Sequence, residues 1–425
     1  MAKFVLVLLF LIMLALPIAW FYDLGYVLYG VLVATFLVNA ITSTRPGFGF
    51  ILLDLVPASF VVCWFYGLVL ALAYGNDRES VIRNFAGMTC YGLYFIFRSA
   101  AVSRPALTRL LLYVAFSNML VGFVLMIVGI LSGGLVYSIF DLASGNVRVI
   151  YSGNVSIAFC VIAVSVFRSL GVLDGWQKYV GGGRFLRWLV ESDLFFYLSS
   201  FYYIVLPYGR GFIINYFILM VVAPVFSILI TGKFRAWGYV RRSFVLILFF
   251  LGYMLSSDSF SENSSAAGDF FRLDHRSNET RLEQGAALRE EFTFLGAGLG
   301  APLKSRYSRD ERGYGFEQSY ENLMHKVGLF SVILFFMYAY TVVVATRAVF
   351  AGLDMYSVLS LALGFCFLIP SAGNPMLFAP VHVALHCISL YLSRCRASIG
   401  VKERIRSDLI RDAVNAPRVC LVRRH

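Results

Sequence analysis

Residues 206–231 read LPYGRGFIINYFILMVVAPVFSILIT. From Phe212 to Thr231 the run carries no charged residue and no alternation of polar with apolar positions. As a helix, twenty such residues extend about 30 Å, the thickness of a bilayer's hydrocarbon core. A helix pairs its own backbone groups, which lipid requires, whereas a barrel strand would alternate with a period of two. The turn before the run, Leu206 to Gly211, is too short to leave the membrane surface, and it carries Arg210.

The same pattern recurs on both sides. Apolar runs predict helices at 4–21, 25–43, 49–73, 85–99, 109–132, 154–170, 191–207, 242–257, 325–347, 355–371 and 376–393, besides 212–231. The expectation is an all-α polytopic membrane protein of about 12 transmembrane helices, a single integral membrane domain over 1–425. Composition agrees: 59% of residues are hydrophobic and only 14% charged, against about 25% charged in soluble domains. The first run follows Lys3 and lacks a small-residue cleavage site before Trp20 to Tyr22, so it reads as an uncleaved signal-anchor.

Orientation follows from the basic residues. With the N-terminus inside, cytoplasmic segments hold 23 of the 36 Lys and Arg, and short outer loops hold only Arg78, Arg83, Arg148 and Arg210. Both termini are therefore expected in the cytoplasm, with 394–425 a basic tail lying on the anionic inner leaflet. The net charge of +12 belongs to this bias, and a nucleic-acid partner is not expected. The seven cysteines fall in predicted spans or on the cytoplasmic side, so no structural disulfide is expected.

One segment, 258–324, is a large outer loop. It opens with a Ser-rich stretch, and near 279–294 it carries a partly amphipathic segment that puts Arg281, Gly285, Leu288 and Phe292 on one stripe. Then come a Gly-rich turn, Leu295-Gly296-Ala297-Gly298-Leu299-Gly300, a charged tip, and Glu317 ahead of the next helix.

Arginine in a short outer loop runs against the charge bias. Arg210 suits a phosphate at headgroup depth, because its fork binds paired oxygens; the alternative is an interfacial anchor. Arg148, in Asn146 to Asn154, raises the same choice. Arg281 and Arg289 lie on the loop segment, where solvated charges usually have no special role. Gly296, Gly298 and Gly300 do not match a dinucleotide fingerprint and read as a turn, with or without a close backbone approach. Glu317 reads as a general base or as a helix N-terminal acid. His382 and His386 are four apart, with no third ligand, so they are not read as a metal site. The sequons at Asn263 and Asn278 are weak signals. There is no Asp-x-Asp pair for a nucleotide-sugar cation and no Walker sequence.

These elements together resemble the bacterial O-antigen polymerases (Wzy-type) and O-antigen ligases. Arg148 to Asn154 resembles the Arg…Gly-x-x-x-Asn stretch that opens a middle helix, with Gly153 and Asn154 adjacent here. Gly209-Arg210-Gly211 resembles the family's Ser-Arg-Gly turn. Arg281, followed by Gly296-Ala297-Gly298-Leu299-Gly300, is similar to the Arg…Gly-x-Gly-x-Gly of the large periplasmic loop. Glu317-Gln318-Ser319-Tyr320 is similar to the loop's end, where ligases have His-Asn-x-Tyr and many polymerases Glu-Asn-x-Tyr. The likeness covers about 148–345.

The resemblance implies a GT-C-type glycosyltransferase in the bacterial inner membrane, its active site facing the periplasm. The donor would be a glycan on undecaprenyl pyrophosphate and the acceptor a hydroxyl of another lipid-linked repeat unit. It implies no metal, no nucleotide and no other cofactor; a separate chain-length regulator is implied by the family alone. Charge grows on the pyrophosphate as the glycosidic bond breaks, and fixed guanidiniums would stabilise that charge. Arg210 and Arg281 are the candidates, with Arg148 and Arg289 as helpers. Glu317 would take the acceptor's proton in an inverting transfer. Tyr320, Gly296, Gly298 and Asn154 would support the acceptor or the loop. The alternatives are an O-antigen ligase, transferring glycan to lipid A–core, and, from another class, a glycolipid flippase or transporter. Glu317, where ligases carry His, favours the polymerase. A transporter usually places charges inside its helices, and here they sit near the ends.

Overall fold

The computed structural model describes residues 2–15, 52–131, 155–173, 184–204, 210–232, 237–245, 276–304, 318–350, 354–373 and 375–394. It also describes isolated positions at 27, 30–32, 34, 38, 247 and 316. Among these residues there is no strand. The helices in chain order are α1 (Ala2–Ala15), α2 (Leu55–Tyr74), α3 (Arg78–Thr89), α4 (Gly92–Ser99), α5 (Arg104–Leu131), α6 (Val155–Ser169), α7 (Arg184–Glu191) and α8 (Asp193–Ile204). There follow α9 (Arg210–Thr231), α10 (237–245), α11 (Arg276–Glu290), α12 (Ser319–Val327), α13 (Phe330–Phe350), α14 (Met355–Ser371) and α15 (380–394).

Among the described residues, four helical segments are long and apolar enough to cross a membrane: Leu52–Tyr74, Arg104–Val124, Gly211–Thr231 and Phe330–Phe350. Three shorter apolar helices accompany them: Ala2–Met13, Ser156–Ser169 and Met355–Ser371. The chain is an all-α protein with the helices of a membrane protein. Most of the expected spans at 25–43 and 242–257 lies outside the described residues.

Helix α6 is the centre of one group. It packs against α5, α8, α9 and α14, and its residues from Ser156 to Phe167 are buried on every side. A helix apolar all round has no solvent or lipid face, so only an interior position suits it. A second group joins α2, α3, α12 and α13, and α13 lies against α14 to link the two.

Three boundaries differ from the sequence expectation. The short span at 85–99 is two helices, and the first begins at Arg78. Gly75 ends α2 in the left-handed region (φ +69°), and Asp77 then caps α3 by accepting from the Ser80 N–H at 2.9 Å. The charged residues Arg78, Glu79 and Arg83 are therefore helical. The break before α4 faces Phe378, whose carbonyl approaches Gly87 so closely that a Cβ there would lie 1.7 Å from it. The span expected at 325–347 is divided into α12 and α13 at Gly328 (φ +57°). That at 191–207 starts as α7 and resumes as α8 at Asp193.

Two carboxylates gather arginines at the helix ends. Asp54 is fully buried and takes Arg98 at 2.8 Å, Arg394 at 3.0 Å and the Tyr94 hydroxyl at 2.5 Å, tying α2 to α4 and α15. Asp193 takes Arg241 and, at 2.8 Å, Arg242, and Arg242 also donates to the Ser165 carbonyl at 3.1 Å.

Candidate functional site

The loop segment that the sequence marks as amphipathic is helix α11, and it packs against α12. Arg281 and Arg289 are both on it, two turns apart, or about 12 Å along the axis. Between them lies Gly285. A Cβ there would sit 3.3 Å from Arg289 Nη1 and 3.6 Å from Gln318 Cγ. Arg289 lies back along its own helix beside Gly285, and its Nη1 reaches Glu321 Oε1 on α12 at 3.4 Å. Both groups of that pair are partly exposed, so it contributes little to stability.

The residues flanking Glu317 rest on the same helix. Phe316 is buried with Leu288 and Leu303. Gln318 donates through Nε2 to the Arg281 carbonyl at 3.3 Å, and its N–H donates to Gln284 Oε1 at 3.4 Å. Glu317 itself lies outside the described residues, as do Arg148 and Asn154. Arg210 is the first residue of α9, and its side chain is likewise outside what is described.

Next to α11 runs the Gly-rich segment, held in place by close backbone contacts. Gly296, Gly298 and Gly300 all have positive φ (92°, 82° and 69°). A Cβ on Gly298 would be 2.6 Å from the Ala71 nitrogen on α2, and one on Gly300 2.6 Å from the Val81 nitrogen on α3. A Cβ on Gly296 would meet the Lys326 carbonyl at 2.5 Å. Only glycine combines these backbone angles with these approaches.

The N–H groups from Gly296 to Gly300 are all taken. Gly296 donates to Thr293, Ala297 to the His325 carbonyl at 2.8 Å, and Gly298 to the Lys326 carbonyl at 3.0 Å. Leu299 donates to the Gly67 carbonyl at 3.0 Å and Gly300 to Asn84 Oδ1 at 2.9 Å. These five N–H groups are therefore occupied within the protein.

Several residues that build this arrangement carry no sequence motif. Asn76 donates from Nδ2 to the carbonyls of both Ala297 and Leu299, each at 2.9 Å. The Tyr66 hydroxyl donates to the Leu295 carbonyl at 2.8 Å. The Lys326 ammonium is buried, donates to the Ala301 carbonyl and stands 5.0 Å over the Phe316 ring. A lysine and an asparagine at the edges of apolar runs were the available hints. Tyr320 donates its hydroxyl to the Leu368 carbonyl at 2.7 Å, and burial pushes that phenol up to about 12, so it stays protonated. His325 is held down to about 4, first by burial and then by the adjacent Lys326.

The two histidines of α15 have separate partners. Nε2 of His382 is 3.1 Å from Ser156 Oγ. Nδ1 of His386 is 3.0 Å from the Tyr91 hydroxyl and its Nε2 3.4 Å from Thr341 Oγ1. Each ring is thus placed by hydroxyls of other helices rather than joined to the other. Comparison with protein-family models and with curated proteins finds no match for this chain.

Proposed function

We propose that this chain is an inverting, metal-independent glycosyltransferase of the O-antigen polymerase type. It joins oligosaccharide repeat units carried on undecaprenyl pyrophosphate into a surface polysaccharide. The observation that supports this reading is the docking of two loop segments on one another. Helix α11, with Arg281 and Arg289, holds Phe316 and Gln318, the neighbours of Glu317, at the entrance to α12 and Tyr320. A helix that carries Arg281 and Arg289, beside a segment that carries a carboxylate, suits a charged leaving group and an acceptor hydroxyl.

In this reading Arg210 and Arg281, with Arg148 and Arg289, bind the pyrophosphate and stabilise its growing charge. Glu317 removes the acceptor's proton, a contribution on the order of 10²–10⁴-fold for a general base. The full fold has twelve spans of the GT-C type, with both termini in the cytoplasm of a bacterium and the site facing the periplasm. The partners are the lipid-linked substrate, the surrounding lipids and a chain-length regulator.

The test is purified protein with a lipid-pyrophosphate-linked repeat unit and no added metal, its products resolved on a gel. Wild type should give a ladder, and Glu317→Ala, Arg210→Lys and Arg281→Lys, each shown to be folded, should abolish it. Arg→Lys keeps the charge but loses the fork, so its failure would speak for paired-oxygen binding. Transfer onto added lipid A–core without a ladder would make the chain a ligase. Movement of the lipid across the bilayer without glycan transfer would make it a transporter.

A further inference from the structure

Their place within the long segment 258–324 assigns residues 292–300 to a loop in water, yet they read FTFLGAGLG, and their contacts are with an apolar span. The Leu295 carbonyl is bonded to Tyr66 and the Leu299 N–H to Gly67. Those residues are seven and eight positions before the end of α2 at Tyr74, about 10–12 Å along the helix. At that level α2 still presents an apolar exterior: Val62, Phe65, Val69 and Leu72 are all exposed on it. Phe330, the first residue of the span α13, sets its ring against Tyr66 at a tilt of 45°, centroids 4.5 Å apart, and Val332, Ile333 and Phe336 continue the exposed apolar row. The strap leaves Phe294 69% and Leu295 53% exposed on this same surface.

Irregular backbone survives at membrane depth only if its polar groups are paired within the protein. From Gly296 to Gly300 the donors meet that condition, and so do most carbonyls from Phe294 to Leu299. The N–H groups from Gly296 to Gly300 all have protein acceptors. The carbonyl of Phe294 accepts from the Leu329 N–H at 3.0 Å, that of Leu295 from Tyr66, and those of Ala297 and Leu299 from Asn76. A segment lying in water would have no need of pairing over Gly296–Gly300.

We infer that residues 292–300 form a re-entrant strap, sunk into the leaflet at the Tyr74 end of α2. Phe294 and Leu295 on it touch lipid acyl chains. The occupant is lipid because the exposed side chains continue the lipid-facing rows of α2 and α13 without a step. This conclusion does not depend on the reaction proposed above. It has a bearing on it, since Arg289 is five residues before Phe294 and cannot be more than about 18 Å from it. A strap in the leaflet ties that end of α11 to the level of the lipid headgroups.

Spin labels on single cysteines test the inference. Labels would be placed at Phe294→Cys and Leu295→Cys in the full chain, with Cys395 and Cys420 changed to Ser and the buried native cysteines kept. The protein would be reconstituted in phosphatidylethanolamine–phosphatidylglycerol vesicles. Leu72→Cys, exposed on α2, is the lipid reference, and Glu290→Cys, exposed on α11, the water reference. Collision with oxygen relative to a nickel chelate should give both strap labels a depth parameter of the sign found at Leu72→Cys. The sign found at Glu290→Cys, at both strap positions, would overturn the strap. Either position alone suffices if the other variant does not fold.

Discussion

Helix α2 is fastened at its two ends by opposite means. At its start, Asp54 gathers Arg98, Arg394 and Tyr94, so one buried carboxylate holds three other side chains. At its other end, the glycine strap is laid against Gly67 and Ala71 and held mostly by backbone groups. The first fastening concentrates charge and fails with one atom. The second spreads its bonds over many residues and depends on absent side chains.

The largest effect is expected from breaking the charged end. Asp54→Ala leaves two arginines without their carboxylate in a buried setting, at about 3–5 kcal/mol. Thermal unfolding in detergent should show a much lower midpoint, or the protein should fail to accumulate. A midpoint near that of wild type would mean that the arginines reach water or other acceptors.

Acid tests the strap end. His325, whose carbonyl accepts from Ala297, is held to about 4 while an unfolded chain holds histidine near 6.5. Between those values the unfolded chain binds a proton that the folded one refuses, so stability falls as pH drops from 6.5 to 4. The loss is up to about 3 kcal/mol and should be missing in His325→Gln. Melting curves across that range would decide it; parallel curves for the two proteins would remove His325 from the account.

Gly298→Ala should cost about 1–3 kcal/mol in backbone strain and push the strap off Ala71. Protease should then cut near residues 292–300 while the span α2 stays intact. Asn76→Ala removes two hydrogen bonds and should weaken the same end by about 1–2 kcal/mol. At the small end stands Arg83→Ala. Its i,i+4 pair with Glu79 is exposed on both sides, and its loss should move the midpoint by no more than about 0.5 kcal/mol. A large shift there would undo the contrast between buried and exposed fastenings.

Hydropathy is a local property, and the segments it governs were legible. The runs at 49–73, 212–231 and 355–371 agree with helices ending within a few residues of them. The helix at Arg78 was not legible, because its charges look like loop and its start depends on Gly75 and Asp77 acting together. The division at Gly328 turns on the approach of residues 294–296, which no local window contains. The stripe at Arg281, Gly285, Leu288 and Phe292 suggested a helix, and one runs from Arg276 to Glu290, ending before Phe292. That Gly285 lies beside Arg289 and Gln318 could be seen only with α12 in place. Asn76 and Asn84 carry no pattern at all, since their partners lie more than 200 residues away.

That separation has a consequence for synthesis. Asn76 is 221 residues ahead of Ala297, and a ribosome adds about 5–20 residues per second. The hairpin of α2 and α3 therefore enters the bilayer roughly 10–45 s before the strap exists. For that time its asparagines must be matched by water, lipid headgroups or the insertion machinery. Late in translation the strap displaces these temporary partners, so the hairpin reaches its final state only after most of the chain has been made.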